Sequence, residues 1–229
     1  MIRNTTFVLL AVVGWSFFGL GQEKPDTLRF AGSPILGWVF LDLASLNAVL
    51  KAQGHPTTAD NFFVWGGRNT ILPQGVLGRW SFDFSNWYGD ATAHQGDKLS
   101  RLTFVWGGAV AEHPLAGFMR GSELSGGLAV GVGVTTLTLL AHRSQSFEDA
   151  LSRPASVFLS RWYFTVQPQL CLNIPLFTIK EKDLRTVSLK LSIGYMLTFD
   201  NGAWDQEGRA LKGPPDRFNG WNIQLTLGL

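Results

Sequence analysis

A single cysteine, Cys171, occurs in 229 residues, so no intramolecular disulfide can form and stability in an oxidising compartment must come from elsewhere. Charge is equally scarce. Asp, Glu, Lys and Arg make up 16% of the chain, the formal net charge is +2 and no cluster of Lys and Arg interleaves with the aromatics, which excludes a nucleic-acid-binding surface. After residue 21 no uninterrupted apolar run approaches the ~20 residues that a bilayer-crossing helix needs, which excludes a helical membrane protein. The four histidines, His55, His94, His113 and His142, are not paired at metal-ligand spacing and sit at turns or strand ends. They read as loop residues, and no metal site is expected. Walker, Rossmann and serine-elbow patterns are absent too, because the glycine pairs at 66, 107 and 126 lack the Lys/Ser or helix start that phosphate binding requires.

What the chain has is alternation. Val187, Leu189, Leu191, Ile193, Tyr195, Leu197 and Phe199 share one phase, against Ser188, Lys190, Ser192, Gly194, Met196 and Thr198. At the end of the sequence Trp221, Ile223, Leu225, Leu227 and Leu229 alternate with Asn222, Gln224, Thr226 and Gly228. A period of two means strands with one apolar face each. The polar faces are small and neutral, Lys190 being the one charge on them. A water-facing sheet needs many more Lys and Glu, whereas a crowded barrel lumen suits Gly, Ser, Thr, Asn and Gln. Aromatics reach 13%, with nine Trp against three Tyr. Trp80, Trp87, Tyr88, Trp106, Trp162, Phe199 and Trp221 fall near strand ends, where an interfacial girdle would place them; the same residues would also fill a soluble core.

Residues 1–21 read as an export signal: Arg3 as the positive start, Phe7 to Leu20 as the apolar core, and Gly19-Leu20-Gly21 as the small residues before a mature start at Gln22. Residues 22–229 then form one β-barrel domain. A first strand is expected over 35–41, then a short amphipathic helix near 43–53, with Asp42 as N-cap and Gly54 as stop. The helix either packs into a barrel mouth, the preferred placement, or lies on a membrane interface. Further strands are expected near 61–67, 77–88, 99–110, 115–121, 127–141, 156–169, 170–178, 186–199 and 219–229, giving an all-β antiparallel meander barrel of about eight to ten strands. Residues 156–176 hold one phase for eight alternations and read either as one very long strand or as a strand interrupted at Pro168, where a bend, bulge or edge is preferred. A β-bulge would reconcile the even apolar phase of Leu128 to Val134 with the odd phase of Leu137 to Ala141. Gly131 and Gly133 leave room inside a tight barrel. Phe63-Val64-Trp65-Gly66-Gly67 is echoed by Phe104-Val105-Trp106-Gly107-Gly108, as repeated hairpin units would be.

Taken with its signal and its alternation, the chain resembles a small bacterial outer-membrane β-barrel protein. Its last strand, Trp221 to Leu229, is similar to the C-terminal strand that the barrel-assembly machinery reads, although that strand usually ends in Phe or Trp. The run Pro168 to Leu176 with Gly194-Tyr195 is similar to uncharacterised exported barrel-like proteins. The resemblance implies an outer-membrane location, membrane lipid and the assembly machinery as partners, and a non-enzymatic structural, envelope-integrity or loop-binding role toward an unidentified envelope or extracellular ligand. The alternative is a soluble periplasmic or secreted barrel with a hydrophobic ligand. No catalytic residue, metal or cofactor is expected. The nearest approach to chemistry is His142-Arg143-Ser144 with Glu148, which resembles the dyad of the outer-membrane lipid A deacylases. That resemblance would make His142 the base, Ser144 the nucleophile and Glu148 the orienter of an envelope lipid hydrolase, but the flanking residues do not match the family. Cys171 lies on the polar phase and reads as a small inward-facing residue. Asp200, Asn201, Asp205 and Glu207 lack the spacing of a calcium loop and read as a solvated turn.

Overall fold

The computed structural model describes residues 32–118, 121–140, 156–180, 184–200, 202–214 and 217–228; the expected signal peptide, 1–21, lies outside them. Eight strands form a closed antiparallel barrel: β1 (Gly32–Leu41), β2 (Asn61–Leu77), β3 (Trp80–Gln95), β4 (Lys98–Gly117), β5 (Glu123–Leu140), β6 (Ser156–Lys180), β7 (Leu184–Phe199) and β10 (Gly220–Gly228). Helix α1 (Ala44–Ala52) joins β1 to β2, and a hairpin of β8 (Ala203–Gln206) and β9 (Arg209–Lys212) stands between β7 and β10. Each barrel strand pairs with the next along the chain, and β1 closes the ring against β10. This is the all-β meander barrel with one short helix that the alternation leads to.

The pairing register fixes the size of the ring. From Ile35 the ladders lead through Gly66, Trp87, Trp106 and Gly133 to Tyr163 on β6, and in the other direction through Thr226 and Lys190 to Asn173 on β6. The stagger between those two arrivals is ten residues, which for eight strands sets a tilt of about 40° and a backbone radius of about 8 Å. An interior that narrow is filled by side chains.

The apolar faces point outward. Trp221 is 54% exposed and its neighbour Asn222 is 1% exposed, and the same alternation runs through Leu36, Trp38 and Phe40 on β1 and Leu128, Val130 and Val132 on β5. Buried against the lumen instead are Arg68, Asp83, Glu112, Gln167, Gln169, Ser192, Asn222, Gln224 and Thr226. On β5 the outward apolar stretch from Leu124 to Val134 spans eleven residues, a band about 25 Å tall once tilted, before Thr136 and Thr138 take over.

Several expectations change at this point. No bulge interrupts β5: its ladder with β6 is continuous from Glu123 to Leu140. The apolar phase switches because the apolar side itself changes, from the outer wall up to Val134 to the inner wall at Leu137 and Leu139, which pack in the core under the mouth. The expected strands 156–169 and 170–178 are one, β6. At Pro168 the ladder to β7 lapses and resumes in the same register, so the missing N–H costs one stretch of pairing without bending the strand; the register shift is at Pro175. Likewise 99–110 and 115–121 merge into β4, with an irregularity at Pro114. Trp87 and Trp106 are no girdle residues, since both are buried in the lumen. The Phe-Val-Trp-Gly-Gly echo does not mark a repeated unit: Phe63 and Trp65 face outward, whereas Phe104 and Trp106 face inward.

Helix α1 packs into one mouth of the barrel. Leu46 and Leu50, with Leu43 at the N-cap position, join a cluster with Phe62, Phe104, Trp204 and Phe218. Asp42 lies one residue before the cap position and accepts from the Ala44 N–H at 3.3 Å. Gly54, at φ +67°, ends the helix as expected, and Lys98 from the β3–β4 turn donates to its carbonyl at 2.7 Å. Gly131 does make room: a Cβ there would lie 2.8 Å from the Trp106 ring. Gly131→Val is therefore expected to destabilise the barrel by about 1–3 kcal/mol through overpacking, read as a lower denaturant midpoint of tryptophan fluorescence; an unchanged midpoint would mean that the aromatic layer has slack.

Candidate functional site

Charge concentrates in the lumen toward the end where β1 begins and β10 finishes. Arg68 from β2 donates through Nε to Asp83 Oδ2 on β3 at 2.7 Å, makes a second contact to that oxygen through Nη2, and reaches Glu112 Oε1 on β4 at 2.6 Å. Lys190, from β7 on another wall, donates to Glu112 Oε2 at 2.8 Å. Gln169 Nε2 and Cys171 Sγ on β6 both donate to Glu112 Oε1 at 3.1 Å. Two cations thus face two carboxylates, and Glu112 receives donors from β2, β6 and β7. The Arg68, Asp83 and Glu112 side chains are almost wholly buried, whereas Lys190 is 22% exposed and forms the open side of the cluster. Strand alternation puts all four on the inward phase, which is why residues far apart in the chain meet.

Above this layer the lumen turns aromatic. Trp87 stacks on Phe104 with centroids 4.9 Å apart and on Trp106 at 5.6 Å. Trp106 Nε1 donates to Thr165 Oγ1 at 2.6 Å, and Tyr163 is hydrogen-bonded to Thr135 at 3.2 Å, so the polar atoms of these rings are satisfied within the layer. A second ion pair seals the mouth. Arg161, fully buried on β6, holds Asp200 through two bonds of 2.7 and 2.8 Å, with its guanidinium over the Phe218 ring at 5.2 Å. Bidentate, stacked geometry of this kind suits Arg and would be lost with Lys.

The residues singled out by sequence fare differently. His142, Ser144 and Glu148 lie outside the described residues, as does Asn201. Asp200 is taken by Arg161, and Asp205 accepts from the Gly208 N–H in the β8–β9 turn at 3.1 Å. His113 stands on the outer wall against Trp80, ring centroids 5.0 Å apart, while His55 follows the helix and His94 pairs with Leu99 near the end of β3. Cys171 is inward, as expected, and its neighbour is a carboxylate. Arg68, Asp83, Glu112 and Arg161 went unremarked in the sequence. The available signal was a charge standing alone on the polar phase of an apolar strand, as Asp83 does within Trp-Ser-Phe-Asp-Phe.

No protein-family model and no curated protein matches this chain. Its function is therefore read from its own geometry.

Leaving the buried Arg68 and the partly exposed Lys190 without their shared carboxylate is the most damaging change available to the cluster. Glu112→Leu is expected to lower stability by about 3–5 kcal/mol, whereas Lys190→Met, which removes the half-exposed partner, costs less. Both are measured as urea midpoints of the refolded barrel, and equal small shifts would show that the cluster carries little of the stability.

Proposed function

We propose that the chain is a non-enzymatic outer-membrane β-barrel. One observation carries this reading: a closed ring whose outer wall is mainly apolar, over a height of about 25 Å on β5, the height of a membrane barrel's lipid-facing belt, while its charged side chains over that height are turned inward, although the amides Asn69 and Asn86 stand on the outer phase of β2 and β3. Closure matters equally, because a barrel satisfies every ladder hydrogen bond within itself and so tolerates hydrocarbon around it.

Further features support the same placement. Aromatic side chains gather on the outer wall near the helix-bearing mouth: Trp38 beside Phe63, Trp65 beside Tyr88, Trp221 beside Tyr195, and Phe164 paired with Phe199. Just beyond them the first outward charges appear, Asp90 and Arg101, paired at 3.2 Å. Trp80, Leu115 and Phe177 stand toward the opposite rim. Connections are short at the end where β1 starts and β10 stops, whereas three of the four at the other end are longer, those formed by α1, residues 141–155 and residues 200–219, the β3–β4 turn there being two residues; outer-membrane barrels have short turns on the periplasmic side and longer loops outside. On this reading residues 1–21 direct export, the barrel-assembly machinery inserts the chain, lipid covers the band, and α1 with the β8–β9 hairpin forms the outward surface available to an envelope or external ligand. A soluble carrier of a hydrophobic ligand would need its apolar faces inward along the whole barrel, whereas here they are inward mainly in the helix-bearing half.

Two measurements test the proposal. Expressing cells are fractionated, the membranes washed with carbonate, and boiled and unboiled samples compared on a denaturing gel; retention with a heat-dependent mobility shift is expected, and release into the soluble fraction would overturn the reading. Ile193, outward at the middle of the band, provides the second. Ile193→Lys is expected to cost about 2–4 kcal/mol on folding into phospholipid vesicles, whereas at a water-exposed surface it would change stability by no more than about 0.5 kcal/mol.

A further inference from the structure

Between the ionic layer and the aromatic layer, the wall made by β6, β7 and β10 carries more hydrogen-bonding groups than it uses. Gln167 Nε2 donates to Gln169 Oε1 at 3.2 Å and to Asn222 Oδ1 at 3.4 Å, and Gln169 continues the chain to Glu112. Four other atoms of the same wall, Gln167 Oε1, Ser192 Oγ, Asn222 Nδ2 and Gln224 Nε2, are buried with no hydrogen-bond partner among the described residues. Each of their residues is more than nine-tenths buried.

The register brings these groups around one point. Ser192 faces Gln224 across β7 and β10, and Asn222 faces Gly194, which faces Gln169 across β6 and β7. Gly194 has no side chain, and the Gln167 amide lies over it, with Nε2 2.8 Å from where a Cβ would stand. Gln224 lies in the same way over Gly37 on β1, its Cγ 3.2 Å from the Cβ position. The two glycines seat two amides against the wall, and the register sets the unpartnered Asn222 and Gln224 amino groups near the free Gln167 carbonyl and the Ser192 hydroxyl.

An ion does not suit this set. The wall carries no formal charge, and the cations and carboxylates beneath it already match. A purely apolar occupant would leave all four atoms unpaired, which buried polar groups do not tolerate. What fits is a small neutral molecule that both donates and accepts, and a water molecule with two to four polar partners is the typical buried case. We propose that the wall around Gly194 is a binding site for neutral hydrogen-bonding molecules of the size of water, with water as its resident. The lumen is then wet from the ionic cluster up to Asn222. This holds whether the barrel sits in a membrane or in solution, so its failure and the failure of the membrane reading are distinguishable.

The test uses the full barrel, isotope-labelled and refolded in detergent micelles, with magnetisation transferred from water to side-chain N–H groups by nuclear magnetic resonance. Transfer from long-lived water is expected at the Asn222 and Gln224 amides and not at the Trp106 indole. Absence of transfer at both amides, or equal transfer at the Trp106 indole, whose N–H is held by Thr165, would overturn the proposal. A second readout is the double variant Asn222→Leu/Gln224→Met. If the amides hold water, the variant loses hydrogen bonds and its heat-mobility midpoint falls; if the site is dry, removing unpaired donors leaves the midpoint unchanged or raises it, which would also sink the idea. Should the variant fail to fold, the water transfer on the unsubstituted protein still decides.

Discussion

Closure of the ring, β1 against β10 with a stagger of ten residues, is the constraint on which the rest of this protein depends. An open eight-stranded sheet would expose two edges; the closed one leaves none along the band and keeps the backbone hydrogen bonds internal. The same closure sets a radius so small that every second side chain must fit into a narrow column. Glycines are the consequence where large rings need space: Gly131 and Gly133 lie beside Trp106 and Tyr163 because a Cβ there would collide with those rings.

Within that column the chain builds two different interiors. One half is ionic and amide-rich, held by Glu112 and its donors from three other strands. The other half is an aromatic and aliphatic core of the kind found in soluble proteins, and it extends beyond the strands through α1 and the segment bearing Trp204 and Phe218. Its closure by Arg161 and Asp200 explains how a buried guanidinium is tolerated among rings: the charge is matched bidentately and its faces lie near Phe218 and Trp204. The ionic cluster links β2, β3, β4 and β7, and through Glu112 it ties β4 to β2 and to β7, with neither of which β4 pairs.

Legibility followed the consistency of each strand's faces. The runs 186–199 and 219–229 keep one apolar and one polar face throughout, so period two is enough to read them. β5 does not, because its apolar face moves from the outer wall to the inner wall near residue 135; a local rule sees that switch as an irregularity in the backbone. Trp87 and Trp106 resisted for the same reason, since an aromatic near a strand end suits both a girdle and a filled lumen. Pro168 looked like a break because pattern does not say which neighbour loses the hydrogen bond, nor that the ladder on the other side continues. The candidate site was the least legible part: Glu112 and Lys190 stand 78 positions apart, and each looks like an ordinary polar-phase residue until the ring closes.

The sequence by itself determined that this protein is made of antiparallel strands with a short helix after the first, that one face of most strands is apolar, and that the opposite face is too poorly charged for a water-facing sheet. Those properties live in spacing and composition, which local chemistry reads directly. Only the tertiary structure decided which face is inside, where the apolar phase changes walls, and which charges and amides meet in the lumen. Direction and partnership depend on the register of eight strands at once, and a strand carries its periodicity but not the identity of what it will face across the barrel.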